Sequence, residues 1–126
     1  MSFAADIKKA TDRYKEGYND AIRISLFKLT RSIVIMTPVD EGRARGNWFA
    51  SLGGFNNETY DNDSPQFTQI ENITNGAPGA VFYLVNNLPY IGRLEFEGHS
   101  DQAPAGMVRV SIENFQLMLD ETIENL

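Results

Sequence analysis

The stretch MSFAADIKKATDRYKEGYNDAIRISLFKLTRSIVIM (residues 1–36) decides the fold, because it predicts one dominant amphipathic helix. Its apolar residues recur every three or four positions, which is the spacing of one face of an α-helix. Ser2 is the expected N-cap, and Pro38 places the end near Thr37 because the residue before a proline avoids helical backbone angles. Gly17 leaves open a bend, or a division into two collinear helices. The apolar stripe consists of Ile7, Ala10, Tyr14, Tyr18, Ile22, Leu26, Leu29, Ile33 and Met36.

A helix of this length would be longer than the domain that carries it. Thirty-six residues extend about 54 Å at 1.5 Å per residue. A compact domain of 126 residues has a radius of gyration of about 14 Å. We therefore predict one domain over residues 1–126 in which residues 1–16 form an extended arm that contacts another molecule, most simply another copy.

The rest of the chain predicts a small sheet with helices against it. Residues 45–53 and 80–87 have the composition of strands, with Trp48 and Ala50 on one side of the first strand. The pairing of the strands and a third strand in residues 55–63 stay open. This order predicts an α+β fold with a long N-terminal helix, a small β-sheet, a short middle helix and a long C-terminal helix packed on the sheet.

Two further helices have recognisable starts and apolar faces. The short middle helix is expected to begin at Ser64 and Pro65 and to stop at Gly76. After one or two helical turns over residues 90–96, the long C-terminal helix is expected to begin at Pro104. Its apolar stripe, which we expect to face the core, consists of Val108, Ile112, Phe115, Leu119, Thr122 and Leu126.

Charge is distributed unevenly along the chain. Residues 1–45 carry nine Lys or Arg and six Asp or Glu, a net charge of +3, and residues 46–126 carry two and eleven, a net charge of −9. The acidic part argues against general nucleic-acid binding, which requires Lys and Arg to replace phosphate counterions. Opposite signs favour head-to-tail contact between copies, with a drift in surface charge as the alternative. The predicted inter-subunit residues are Lys8, Lys9, Arg13 and Lys15.

Two polar, glycine-rich blocks stand out in this sequence. They are TPVDEGRARGNW, called here the first block (residues 37–48), and NNLPYIGRLEFEGHSDQAPAGMVR, the second block (residues 86–109). Both resemble the small neck proteins of long-tailed double-stranded-DNA bacteriophages, also called tail-completion or head–tail joining proteins. In that family TPVDTGR-x-R-x-NW leads into the first strand, and NNLPYA-x-x-x-E-x-G-x-S-x-QAPAGMVR leads into the last helix. This chain departs from the pattern at Glu41 and Ile91.

The resemblance implies a structural virion protein and no enzyme. Proteins of that family assemble as rings, commonly hexameric, which join the DNA-filled head to the tail and form part of the DNA channel. The implied partners are further copies, head-side connector or adaptor proteins, tail-terminator or tail-tube proteins, and genomic DNA that passes without sequence-specific binding. The implied location is the virion neck, after synthesis in the host cytoplasm. The alternative within virion proteins is a tail-terminator ring that caps the tail tube.

Arginines in the first block and carboxylates in the second are candidate partners. The guanidinium groups of Arg43 and Arg45 can each bind a carboxylate through two hydrogen bonds, with Glu95 and Glu97 as the expected acceptors. Three interpretations stay open for the two arginines: a brace between the blocks, a contact between copies, and a solvated strand end.

Other residues in the blocks predict structural roles. Trp48 and Tyr90 are expected core anchors whose polar tips need a partner. Pro89 and Pro104 are candidate rigid contacts at an interface, and Asn87 suits a strand end, where its side chain can bind nearby backbone.

Catalytic and metal chemistry have little support in the sequence. The single histidine, His99, lies among acidic residues and leaves a small metal-dependent hydrolase as a distant alternative, but its spacing matches no ligand pattern. The sequence has no G-x-S-x-G motif and no G-K-[ST] phosphate loop. Cysteine is absent and no apolar run approaches the roughly 20 residues of a membrane span. We therefore expect no cofactor, no metal and no membrane partner.

Overall fold

The computed structural model of the protein describes residues 2–39, 43–55, 57–96 and 106–125. Eight elements follow one another in these ranges, in the α+β arrangement that the sequence predicts. They are α1 (Phe3–Met36), α2 (Arg43–Gly46), β1 (Phe49–Leu52), α3 (Phe67–Thr74), β2 (Phe82–Val85), α4 (Ile91–Phe96), α5 (Val108–Glu113) and α6 (Phe115–Glu124).

The N-terminal helix is a single element, continuous through Gly17. At its start Ser2 Oγ accepts a hydrogen bond of 3.1 Å from the backbone N–H of Ala5, which confirms the predicted N-cap. At its end Thr37 has extended backbone angles, while its N–H still donates to the Ile33 carbonyl. The proline that follows explains why the helix stops there.

The sheet consists of two antiparallel strands, with Phe49 opposite Val85 and Leu52 opposite Phe82. The first strand is shorter than predicted, because residues 43–46 form the helical turn α2 and not the start of a strand. Asn47 explains this difference, since its side-chain amide donates 2.8 Å hydrogen bonds to the carbonyls of Arg43 and Tyr60. These side-chain bonds close the helical turn at the point where backbone pairing with β2 would otherwise begin.

One edge of the sheet is covered by a side chain of the middle helix. Gln69 Oε1 accepts from the Ala50 N–H at 3.0 Å, and Gln69 Nε2 donates to the Ala50 carbonyl at 2.7 Å. The Gln69 amide thus takes the position of a neighbouring strand's peptide group. The helix that carries it begins at Phe67, two residues after the predicted proline start, and ends at Thr74.

The hydrophobic core lies between α1, the sheet and the helices that pack on them. α3 packs against β1 and α1, whereas α5 and α6 pack mainly against α1 and not on the sheet as predicted. Burial along α1 begins at Ala21, so its N-terminal half contributes nothing to this core. The buried core cluster consists of Ile33, Val34, Ala44, Trp48, Ala50, Ile70, Leu88, Leu94 and Met107.

The C-terminal helix differs from its prediction in start, continuity and face. It begins at Val108, Asn114 separates α5 from α6, and Pro104 lies outside the described residues. Ile112, predicted to face the core, is 55% exposed. The side chain of Ser111 is buried instead, and its hydroxyl lies 2.9 Å from Ser32 Oγ on α1. The side of α5 that faces the interior therefore carries Ser111, and not Ile112 as the apolar stripe predicted.

Candidate functional site

Trp48 joins the two ends of the first block inside the core. Its ring is 5% exposed, and its indole N–H donates a 2.9 Å hydrogen bond to Thr37 Oγ1. Thr37 is fully buried and its hydroxyl donates in turn to the Ile33 carbonyl at 2.7 Å. The predicted role of Trp48 as a core anchor with a satisfied polar tip is confirmed.

Arg45 binds the end of α1 and not a carboxylate. Its Nε donates to the Thr37 carbonyl at 2.7 Å, and its Nη2 donates to the Ile35 carbonyl at 2.5 Å. A cation at this position also interacts favourably with the negative end of the helix dipole. Arg43 lies exposed on α2, and Glu95 takes a different partner. The predicted ion pairs from Arg43 and Arg45 to Glu95 are therefore wrong, and Glu97 lies outside the described residues.

Glu95 holds together the two parts of the second block. It is 6% exposed. Its carboxylate accepts from the backbone N–H groups of Met107 at 2.9 Å, Val108 at 2.6 Å and Arg109 at 3.2 Å. The Arg109 guanidinium adds an ion pair of 3.1 Å to Oε2 and a further bond to the Glu95 carbonyl. These acceptors satisfy the free N–H groups at the start of α5.

The environment of Glu95 favours its charged form. Burial raises the pKa of the carboxyl, but the hydrogen bonds from the Val108, Met107 and Arg109 N–H groups and from the Arg109 side chain outweigh it, so the pKa is lowered. Glu95 is therefore a structural carboxylate whose hydrogen-bonding capacity is taken up by its own chain. A general acid or base would need the opposite properties, a raised pKa and access to substrate.

An asparagine at the start of the second block connects it to the first block. Asn86 Nδ2 donates to the Ala44 carbonyl at 2.8 Å, which links the second block directly to the first. Asn87 Nδ2 donates to the Glu58 carbonyl at 2.9 Å, consistent with its predicted place after a strand. A brace between the blocks thus exists, but in the part of the chain that the structure describes it is the amide-to-backbone bond from Asn86 to Ala44, in place of the predicted arginine–carboxylate pairs.

The remaining predicted site residues do not converge on one point. Tyr90 is 38% exposed, so it is not the core anchor that the sequence predicts, and Pro89 is also exposed. Pro104 and His99 lie outside the described residues. Within the described ranges, no group of three or more His, Cys, Asp or Glu side chains could hold a metal ion. A cleft of about 300 Å³ beside Trp48 is lined mainly by apolar side chains, and its carboxylate is the engaged Glu95.

Sequence reasoning missed three of the residues that organise this region: Asn47, Asn86 as the link to Ala44, and Arg109. Each acts through a backbone group or side chain that is distant in sequence, by 42 residues for Asn86 and Ala44. The sequence contains one signal for the role of Glu95. This residue precedes Gly106 and Arg109 at the end of the second block, where the last helix begins, and the positive end of a helix attracts a carboxylate.

The surface with the clearest capacity for interaction is the first half of α1. None of residues 3–20 is buried, and we call this segment, which ends four residues beyond the arm predicted from the sequence, the arm. Phe3 is 80%, Ile7 50%, Tyr14 74% and Tyr18 43% exposed. The two tyrosine rings stack on each other with their centroids 6.5 Å apart. The predicted inter-subunit residues Lys8, Lys9, Arg13 and Lys15 are all exposed on the same segment.

Comparison of the chain with protein-family models, curated proteins and solved structures finds no match. Within the described residues, no helix combines the length and the apolar character required to cross a membrane.

Proposed function

We propose that this protein is a structural component of a bacteriophage neck, where copies form a ring, expected to be a hexamer, that joins the DNA-filled head to the tail. The observation that carries the proposal is the arm. It continues the helix that supports the core, yet it exposes large apolar side chains such as Phe3 and Tyr14 to solvent. Contiguous exposed apolar surface on a small domain marks an interaction site.

The arm is suited to assembly because it is rigid and reaches beyond its own domain. Residues 3–20 belong to one continuous helix and extend about 27 Å at 1.5 Å per residue. Aromatic residues dominate the energetics of protein interfaces, because each one buries a large area with few rotatable bonds. A rigid projection of this kind supports a role in joining copies or neighbouring virion proteins.

In the described parts of the two blocks that resemble phage neck proteins, four polar side chains bind other groups of the same chain. Trp48, Arg45, Asn86 and Glu95 all direct their polar atoms at groups of this chain. Such sites fix the shape of a module and leave no free reactive group among these four residues. This supports a structural role over the distant alternative of a hydrolase centred on His99.

The charge of the chain supports the channel part of the proposal. Residues 46–126 carry a net charge of −9. A wall of the same sign as DNA lets the genome pass, because phosphates find no cations to displace their counterions. In this proposal the head-side neighbours are connector or adaptor proteins, the tail-side neighbours are tail-terminator or tail-tube proteins, and the location is the virion neck.

The test is a head–tail joining assay. Heads and tails from particles that lack this protein should remain separate, and adding the purified protein should join them. A His99→Ala variant should join them equally well, since no chemistry is assigned to that side chain. Heads and tails that join without the protein would overturn the proposal. A particle map with the protein at the end of the tail tube, and not between head and tail adaptor, would establish the tail-terminator alternative.

A further inference from the structure

The charged residues of the arm are sorted by face. Successive helical residues are rotated by about 100°, so positions separated by three, four or seven residues share a face. Ile7, Tyr14 and Tyr18 form such a row, and Lys8 and Lys15 lie together beside it. A shallow groove on this side of the arm is lined by Tyr14, Lys15, Tyr18 and Asn19.

Three of the four carboxylates of the arm lie on its other side. By the same rotation, Asp6, Glu16 and Asp20 fall away from the apolar row, as do Lys9 and Arg13. The fourth, Asp12, lies one turn from Lys8 and forms an exposed ion pair of 2.9 Å with it. The arm face, defined here as Ile7, Lys8, Tyr14, Lys15 and Tyr18, therefore combines exposed apolar area with two lysines, of which Lys8 pairs with Asp12 at the edge of the face.

A surface of complementary character lies on α6. Leu117 is 60% exposed, and Asp120, Glu121 and Glu124 follow it at three, four and seven residues, so all four share one face. The chain from residue 110 onward contains no Lys or Arg. α6 packs on α1 of its own chain, with Thr122 buried, so the acidic face lies on another side of the helix.

We infer that the arm face of one copy docks on the acidic face of α6 (Leu117, Asp120, Glu121 and Glu124) in a second copy. The two surfaces are compatible in length, since the 8 positions from Leu117 to Glu124 span about 12 Å and fit within the about 18 Å of the 12 positions from Ile7 to Tyr18. They also match in chemistry, with apolar side chains flanked by lysines against an exposed leucine flanked by carboxylates.

The geometry of this contact has a consequence for assembly. The two surfaces are different parts of the molecule, so the contact is head-to-tail, and repeated head-to-tail contacts close into a ring or continue as a filament. The inference thus deepens the ring in the proposed function and rests on it for biological meaning. The contact itself can be measured without a phage particle.

The absence of cysteine from the sequence permits a direct test. One preparation carries Tyr14→Cys and a second, distinguishable by mass, carries Leu117→Cys. Mixed at high protein concentration and low salt with a short bis-maleimide cross-linker, they should give a covalent dimer of the two different chains. Lys9→Cys paired with Leu117→Cys is the matched control, because residue 9 lies on the other side of the arm, and it should give much less.

Charge exchange identifies the contact as the one inferred. Adding Asp120→Lys and Glu124→Lys to the Leu117→Cys chain should lower the yield of mixed dimer roughly tenfold, since two attractive pairs become repulsive. Lys8→Glu and Lys15→Glu in the Tyr14→Cys chain should restore it, whereas Lys9→Glu and Arg13→Glu should not. Equal yields from the Tyr14 and Lys9 pairs, or no response to the exchange, would overturn the inference.

The two proposals fail differently in these experiments. If head–tail joining requires the protein but the mixed dimer does not form, the neck function stands and the inferred contact fails. If the mixed dimer forms with the expected charge dependence but joining does not require the protein, the contact stands and the neck function fails.

Discussion

Trp48 and Thr37 are hydrogen-bonded in the core, with the indole N–H of Trp48 2.9 Å from Thr37 Oγ1. The two residues are 11 positions apart in the chain, and the bond joins the end of α1 to the start of β1. The Thr37 hydroxyl also donates to the Ile33 carbonyl, so one buried hydroxyl both caps the helix and accepts the hydrogen bond from the Trp48 indole. This arrangement makes Thr37 the point at which the first block is fixed to the helix.

Replacing Thr37 with Val should therefore destabilise the protein although its volume is nearly unchanged. The substitution leaves the buried indole N–H of Trp48 without an acceptor, which costs roughly 1–3 kcal/mol. Thr37→Ser keeps the hydroxyl and is the matched control, with a smaller loss from the missing methyl group. Urea unfolding followed by Trp48 fluorescence measures both. A Val variant as stable as the Ser variant would show that the hydrogen bond contributes little.

Glu95 should make the stability of the protein depend on pH. Its pKa is lowered in the folded state, so its contribution to stability is present above the unfolded pKa and lost as the pH falls through the folded one. The unfolded carboxyl titrates near pH 4.3, so the contribution should be complete above about pH 5 and should decline below about pH 4. Glu95→Gln should reduce the unfolding free energy at pH 7 by roughly 1–3 kcal/mol.

The pH dependence of the difference in unfolding free energy distinguishes the loss of the carboxylate charge from other effects of the Glu95→Gln substitution. The gap between the native protein and Glu95→Gln should narrow as the pH falls, because protonation removes the same charge in the native protein. Glu113→Gln changes the same charge on an exposed residue of α5, and surface changes of this kind cost less than about 0.5 kcal/mol. A gap that stays constant from pH 7 to the acid range would contradict the assignment.

The sequence predicted those parts of the fold that follow from periodicity and from local capping. The length of α1, its Ser2 cap and its end at Thr37 depend on neighbours within one or two turns. The start of β1 depends on Asn47, which binds Arg43 four residues away but also Tyr60 13 residues away, and the face of α5 depends on Ser111, which binds a group 79 residues away. No local pattern encodes such distances, and an apolar stripe cannot show that a serine pair will replace Ile112.

The same distinction applies to the candidate site. Arg45 was identified from its ability to bind two acceptors at once, which it does, but the acceptors are backbone carbonyls at the end of α1. Glu95 was identified as a partner, but its main donors are backbone N–H groups at the start of α5. For Arg45 and Glu95 the side-chain chemistry predicted that they would be engaged, and tertiary structure decided with which groups.

Gly46 should not tolerate a side chain. A Cβ at this position would overlap the carbonyl group of Asn62, so the loop over residues 57–63 would have to move. Gly46→Ala should lower the unfolding free energy by roughly 1–3 kcal/mol, as overpacking does. Gly92→Ala is the control, because a Cβ there meets open space within α4, and alanine should be neutral or stabilise by about 0.4–1 kcal/mol. Thermal unfolding of both variants measures the contrast, and equal melting temperatures would contradict it.

Gln69 should control both stability and self-association, because it covers the edge of β1. Its amide satisfies the N–H and C=O of Ala50, a residue that is 4% exposed. Gln69→Met keeps the length of the side chain but removes both hydrogen bonds, at a cost of roughly 1–3 kcal/mol. The uncovered backbone can then pair with a strand of another molecule, so aggregation on mild heating should increase.

Gln116→Met is the matched control, since Gln116 bonds only to exposed Asp120 among the described contacts. Light scattering and urea unfolding measure the two effects. A Gln69→Met protein that loses stability without aggregating faster would limit Gln69 to a packing role, and one that matches Gln116→Met in both would show that the amide does not protect the edge.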